Sequence, residues 1–259
     1  MSIQIFGLTI PLYGIFFWLG IFAAAAVAFI SKRRRICGFD LVSSAVYTMI
    51  LAIVGAKLLF IAVSMDDIIA YAEGYGLGFF EMLPLVLKGG FVFYGGLIGG
   101  LAGLALYCVQ FKKPLWDYLD LYATVLPLGH AIGRVGCFFA GCCYGIAYDG
   151  PMSHVYQVET GFAPVGVPLF PVQLTEAACL LVIFLILFFV YFHTDSSKHY
   201  TVFVYAGSYC LVRFALEFLR GDAERGALWI FSTSQWISLI IAAVASAYLI
   251  IKGYRNKTK

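Results

Sequence analysis

Seven stretches of this chain read as long and apolar enough to cross a lipid bilayer. They cover about 11–30, 41–64, 89–110, 117–136, 171–192, 200–220 and 234–251. A membrane helix needs about 20 mostly apolar residues to span the hydrocarbon, so each stretch is read as one helix. The fourth is the least apolar, since it opens with Asp117 and Asp120 and ends in a glycine-rich segment. The 259 residues are 62% hydrophobic and only 12% charged, with a mean hydropathy of +0.92. A water-soluble domain carries about twice that share of charge. The expected fold is therefore all-α: a polytopic membrane helix bundle of about seven helices, forming a single integral-membrane domain over 1–259. The first run, Pro11 to Ile30, is long enough to span and lacks a basic segment before it. It is expected to remain as a membrane helix rather than serve as a cleavable signal.

The basic residues orient the bundle. Lys32, Arg33, Arg34 and Arg35 follow the first run, Lys112 and Lys113 the third, and Lys198 the fifth; Lys252, Arg255, Lys257 and Lys259 form the tail. Cytoplasmic loops carry the excess of Lys and Arg, so the N-terminus is expected outside and the C-terminus in the cytoplasm. The outer side keeps little beyond Lys88, Arg220 and Arg225. It receives segment 65–88 and the loops 146–170 and 221–233. Segment 65–88 reads either as an amphipathic element lying in the interface or as an ordinary connection. The seven cysteines are scattered through apolar stretches apart from one group, which is not the pattern of a secreted disulfide framework.

That group lies in the most informative segment, Gly129-His130-Ala131-Ile132-Gly133-Arg134-Val135-Gly136-Cys137-Phe138-Phe139-Ala140-Gly141-Cys142-Cys143-Tyr144-Gly145. An arginine in hydrocarbon costs about 2.5–3.5 kcal/mol even on the lenient insertion scale, so Arg134 implies a partner or an anionic ligand. Gly133, Gly136, Gly141 and Gly145 permit close approach and irregular turns. The segment is expected to form an anion-binding hollow near the outer membrane surface with thiols beside it. His130, one turn before Arg134, reads equally well as a hydrogen-bonded packing residue.

Further polar groups fall in the apolar runs. Arg213 and Glu217 are four apart and face one way on a helix, either as a muted ion pair or with Arg213 joining Arg134 on a phosphate, for which guanidinium groups are suited. Glu176 either orients an arginine or caps its helix. Lys57 either snorkels to the interface or adds a third positive charge. Tyr94 precedes Gly95 and Gly96, which invite a lipid or another helix to approach closely. For Cys137, Cys142 and Cys143 several readings stay open: small apolar packing, a disulfide or redox-active thiol at an oxidising outer face, a nucleophilic thiol beside Arg134, or a zinc site completed by His130, although C-x4-C-C is not a usual zinc spacing.

Taken in order, these pieces resemble the prolipoprotein diacylglyceryl transferase family over most of the chain. The matching motifs are Tyr13-Gly14, Gly55-Ala56-Lys57-Leu58, Gly95-Gly96-Leu97-Ile98-Gly99 and Gly133-Arg134-Val135-Gly136-x-Phe138 with Gly145. They continue with Pro171-x-Gln173-Leu174-x-Glu176, Arg213-Phe214-x-x-Glu217-Phe218-x-Arg220 and Ser234-Gln235-x-x-Ser238.

The resemblance implies a bacterial plasma-membrane enzyme, multi-pass, with its site toward the outer face. It would move the diacylglyceryl group of phosphatidylglycerol to the lipobox cysteine of a preprolipoprotein, forming a thioether and releasing glycerol 1-phosphate. Tyr94, Arg134, Cys137, Cys142, Arg213 and Glu217 then stand as catalytic candidates. Tyr13, Lys57, Gly95, Gly96, His130, Gly133, Gly136, Cys143, Gly145, Gln173, Glu176 and Arg220 stand as substrate-binding candidates. The partners are the anionic lipid and the signal-peptide thiol within the membrane; no metal, soluble cofactor or nucleic acid is expected, and the protein is expected to be a monomer. The chain departs from the family pattern, which usually has His at Tyr94, Asn at Cys137, Glu at Cys142 and Arg at Lys57. An unperturbed tyrosine, with a pKa near 10, is a poorer base at neutral pH than histidine. These departures leave room for a paralogous lipid-dependent transferase with another acceptor. The rival from a different class is a non-enzymatic thiol or lipid sensor or transporter. Transporters often show repeats and broken helices at the midplane, whereas the polar cluster here is single and expected near one face.

Overall fold

The computed structural model describes residues 2–5, 8–31, 36–76, 78–160, 162–193, 200–222 and 227–257. Of the residues used to orient the bundle, Lys32, Arg33, Arg34, Arg35, Lys198, Arg225 and Lys259 lie outside the described residues. The helices are α1 (Leu12–Ser31), α2 (Gly38–Tyr75), α3 (Phe79–Lys88), α4 (Phe93–Gln110), α5 (Leu115–Ala140), α6 (Val172–His193), α7 (Tyr200–Glu217) and α8 (Thr233–Lys257). Three short antiparallel hairpins accompany them: β1 (Ser2–Ile5) with β2 (Leu8–Pro11), β3 (His154–Val155) with β4 (Pro168–Leu169), and β5 (Ala227–Leu228) with β6 (Phe231–Ser232). The expected all-α membrane bundle is what the chain forms.

Among the described residues, six helices are long and apolar enough to cross a membrane: α1, α2, α4, α5, α6 and α8. The sixth apolar run of the sequence folds as α7, whose 18 residues include Thr201, Ser208, Arg213 and Glu217. Several boundaries differ from the sequence reading; α8, for one, runs to Lys257 rather than 251. Helix α2 does not stop near residue 64 but continues to Tyr75, because no proline intervenes and the single Gly74 is tolerated, and Gly76 ends it with a left-handed φ of 64°. The 65–88 segment is thus the end of α2 plus the separate helix α3. Helix α4 begins at Phe93 rather than 89, leaving Gly89 to Val92 outside the helix. Helix α5 passes unbroken through Gly133 and Gly136, and the irregular turn starts only at Gly141, with φ 73°.

The chain divides into two compact units, Lys32–Tyr118 and Met1–Ser31 with Leu119–Lys259. In the first unit, α2 and α4 approach so closely that backbone meets backbone. A Cβ on Gly95 would collide with the Gly55 carbonyl, and one on Gly99 with the Leu51 carbonyl. Small residues of this kind drive helix association in lipid, where tails are as apolar as leucine. Asp40 accepts hydrogen bonds from Lys113 Nζ (2.7 Å) and Tyr107 OH (2.9 Å), tying the start of α2 to the end of α4. Gly99→Ala is expected to destabilise the protein by about 1–3 kcal/mol through overpacking. Gly74→Ala, whose Cβ would meet nothing within 4 Å, is expected to gain up to about 1 kcal/mol from helix propensity. Unfolding of the two variants in lipid nanodiscs, followed by circular dichroism, checks the contrast.

In the second unit α1 packs on α5 by the same device. A Cβ on Gly20 would stand 2.7 Å from the Gly129 carbonyl oxygen, and one on Gly136 2.8 Å from Phe16 Cβ. Ala131, Ala177 and Leu180 form a buried cluster between α5 and α6, with Val135 and Tyr209 packed against it. Past α5, Tyr156, Ala163 and Leu169 form a small core under the 146–170 loop.

Candidate active site

Three helices of the second unit bring charge into its interior. His130 and Arg134 are one turn apart on α5, Gln173 and Glu176 lie in the first turns of α6, and Tyr209, Arg213 and Glu217 recur at four-residue steps on α7. Glu176 is the hub. Its Oε1 lies 2.9 Å from Arg134 Nη2, accepts a hydrogen bond from Tyr209 OH at 3.3 Å, and stands 3.8 Å from His130 Nε2. The His130 and Tyr209 rings meet edge to face with centroids 5.3 Å apart. Of the two readings of Glu176, this geometry is that of an arginine-orienting group.

Arg213 Nη2 pairs with Glu217 Oε2 at 2.7 Å within α7 and donates to Ser234 Oγ, at the start of α8, at 3.5 Å. Both arginine side chains are well buried, with 12% and 14% exposure for Arg134 and Arg213. Each also keeps a buried donor, Arg134 Nε and Arg213 Nη1, with no hydrogen-bond partner among the described residues. An unsatisfied buried donor costs about 1–3 kcal/mol and more when charged. Two such donors on guanidinium groups match what an anionic ligand would relieve.

Beyond α5 the chain turns sharply. Gly141 (φ 73°) and Cys143 (φ 56°) both take left-handed backbone. The turn is held from two sides: Gln173 Nε2 donates to the Cys142 carbonyl at 2.9 Å, and Gly221 N donates to the Tyr144 carbonyl at 3.0 Å. Gly145 has no room for a side chain, since a Cβ there would strike the Phe170 carbonyl. It pairs with Arg220 in an isolated antiparallel bridge, and Arg220 makes a two-pronged contact with Asp222 at 3.1 and 2.9 Å. The Cys142 thiol donates to the Cys137 carbonyl at 3.8 Å, and the neighbouring Cys137 and Cys142 thiols, with the charges of Arg220 and Arg134 adding, hold the Cys143 thiol below the usual range against the effect of burial. Burial pushes the Tyr156 hydroxyl up to about 12, and that hydroxyl donates to the Phe138 carbonyl at 2.8 Å.

Among the sequence candidates, His130, Arg134, Glu176, Arg213 and Glu217 are thus grouped on α5, α6 and α7. Gly145, Gln173, Arg220 and the three cysteines belong to the turn beside them. Gly133 has open space where its Cβ would be, and Gly136 is taken up by the α1 contact. Tyr13 lies in the first turn of α1, 45% exposed, its ring stacked near Phe17. Lys57, Tyr94, Gly95 and Gly96 belong to the other unit. There Lys57 Nζ donates to the Gly89 and Gly90 carbonyls at 2.9 and 3.4 Å and sits over the Phe60 and Phe91 rings. It holds the non-helical start of α4 rather than snorkelling free. Gly95 is filled by its contact with α2, and half-buried Tyr94 sits edge-on to Phe93 in the first turn of α4.

Sequence reasoning missed Tyr209 and gave Ser234 no part in the charge cluster. Tyr209 was findable, since it precedes Arg213 by one turn on the same face. Tyr209→Phe removes one donor from a buried carboxylate and is expected to cost about 1.5–3 kcal/mol of stability, measurable by thermal unfolding in nanodiscs.

Fold and site together define a polytopic helical membrane protein with a buried, paired cluster of arginines and glutamates. The chain belongs to the prolipoprotein diacylglyceryl transferase family, whose pattern it matches over residues 1–251. A phosphatidylglycerol–prolipoprotein diacylglyceryl transferase of Clostridium tetani is 35% identical over 262 residues, covering 98% of both chains. The enzyme numbered 2 of that name in Clostridium perfringens is 34% identical, covering 92% of this chain and 89% of its own. The Campylobacter jejuni (strain 81-176) protein of that name is 29% identical, covering 97% and 93%.

Proposed function

We propose that this chain transfers the diacylglyceryl group of phosphatidylglycerol to the lipobox cysteine of a preprolipoprotein. The observation that carries the reading is the pair of buried guanidinium groups with unused donors, in a chain of this family. In the reaction the acceptor sulfur forms a C–S bond to the glyceryl carbon as the C–O bond to phosphate breaks. The electron pair leaves with glycerol 1-phosphate, and the thiol proton passes to a general base. Within the unit that holds Arg134, His130 is the candidate base.

Arg134 and Arg213 meet the phosphate, whose charge is fully developed on leaving. Donors fixed in a water-poor site stabilise such charge without reorganising. Glu176, Glu217, Tyr209 and Ser234 keep the two guanidinium groups aimed. On this reading the chain works as one transferase domain and as a monomer in the bacterial plasma membrane. The placement of its basic residues supports a site toward the outer face.

A different acceptor, or a sensor or transporter role, is not favoured, because relatives 34–35% identical over nearly the whole chain carry this transferase name. The test is a lipobox peptide incubated with the protein in phosphatidylglycerol vesicles. The peptide is expected to gain the mass of one diacylglyceryl group, and a peptide with serine in place of its cysteine to gain none. An unchanged cysteine peptide would contradict the proposal.

A further inference from the structure

The Sγ atoms of Cys137, Cys142 and Cys143 all lie within 4.8 Å of one another. Three sulfurs sharing one ion at a metal–sulfur distance of about 2.3 Å stand about 3.8–4.0 Å apart, in tetrahedral or trigonal geometry. The cluster therefore has the spacing of a three-thiolate site with little further movement.

The backbone is bent to make this cluster. Cys137 sits in the last turn of α5, and the chain must reverse within six residues to bring two more thiols back over it. It does so with positive φ at Gly141 and at Cys143, where a side chain makes that conformation unfavourable by about 1–2 kcal/mol. The bend is pinned by hydrogen bonds to the carbonyls of Cys142 and Tyr144, from Gln173 and Gly221. All seven cysteines are free thiols, and the three in the cluster are half-buried rather than sealed in the core. Simple apolar packing requires neither the bend nor the grouping.

We infer that Cys137, Cys142 and Cys143 form a binding site for one thiophilic d10 cation, zinc or copper(I), that fastens the turn after α5. On binding, each thiol releases its proton to water as a metal–sulfur bond forms, with no change of oxidation state. For zinc, a water completes the tetrahedron. The inference rests on the cluster alone and not on the transferase reading, so a chain that binds metal without transferring lipid, or the reverse, separates the two.

The test uses the full-length protein, reduced and metal-stripped under anaerobic conditions, then loaded with zinc or, in a parallel arm, copper(I). One equivalent of at least one ion is expected to remain through gel filtration. Cys137→Ser, Cys142→Ser and Cys143→Ser are each expected to lower affinity by at least about 100-fold, more than loss of a supporting residue around a metal site usually does. Cys37→Ser and Cys179→Ser are expected to leave it unchanged. X-ray absorption of the loaded wild-type protein, which needs no variant to fold, is expected to show three sulfur neighbours. Retention of neither ion by fully reduced protein, a shell with fewer than three sulfurs, or equal binding by the three cluster variants would overturn the inference.

Discussion

Arg134→Ala is expected to slow release of glycerol phosphate from phosphatidylglycerol by about 10²–10³-fold, the loss typical of removing one preorganised charge-stabilising group. The size follows from where Arg134 sits. Its Nη2 is committed to Glu176 at 2.9 Å, while its Nε is buried with no partner among the described residues. One guanidinium thus holds its own position with one donor and offers another to the substrate. Lysine cannot do both, since an ammonium is a compact point charge without the planar fork. Arg134→Lys is therefore expected to recover little. The measurement is headgroup release from labelled lipid in vesicles, with circular dichroism to confirm that the variants fold.

Glu176→Ala is expected to destabilise the protein by about 3–5 kcal/mol, because removing one partner of a buried ion pair leaves the other charge uncompensated. Glu176 is 1% exposed, so its loss leaves the Arg134 charge facing a buried gap. In the same step Tyr209 loses its acceptor and His130 loses the carboxylate 3.8 Å from its Nε2. Glu176→Gln keeps a carbonyl acceptor for Tyr209 and is expected to cost less. Chemical unfolding in nanodiscs ranks the three proteins. An alanine variant as stable as wild type would mean that Glu176 does not anchor the cluster.

The membrane helices were legible because hydrocarbon imposes one requirement, a long apolar run, and the sequence meets it repeatedly. Boundaries were less legible where that requirement stops applying. The end of α2 beyond residue 64 carries Asp66, Asp67 and Glu73, which read as loop to a hydropathy argument yet are compatible with a helix that has left the apolar zone. Gly133 and Gly136 looked like turn formers, but a helix tolerates isolated glycines when a neighbour packs on the gap, as α1 does at Gly136.

Within the site, the four-residue spacing of Arg213 and Glu217 made their pairing one of two open readings, and the pair forms at 2.7 Å. The Arg134–Glu176 pair joins residues 42 apart, and only the packing of α5 on α6 makes it. The resemblance carried Glu176 into the candidate set, and the residues themselves left its role open. The cysteine cluster was visible as a grouping, but the convergence of its thiols depends on backbone angles at Gly141 and Cys143 that no spacing rule supplies.

The most direct measurement follows both products of one reaction at once. Purified protein in vesicles of headgroup-labelled phosphatidylglycerol would be given a lipobox peptide, and glycerol phosphate release and the peptide adduct counted together. One glycerol phosphate released per diacylglyceryl adduct formed, with both lost in Arg134→Ala, is the expected result. Release without an adduct, or an adduct that Arg134→Ala leaves undiminished, would contradict the assignment of Arg134 to the leaving phosphate in a transfer to the peptide thiol.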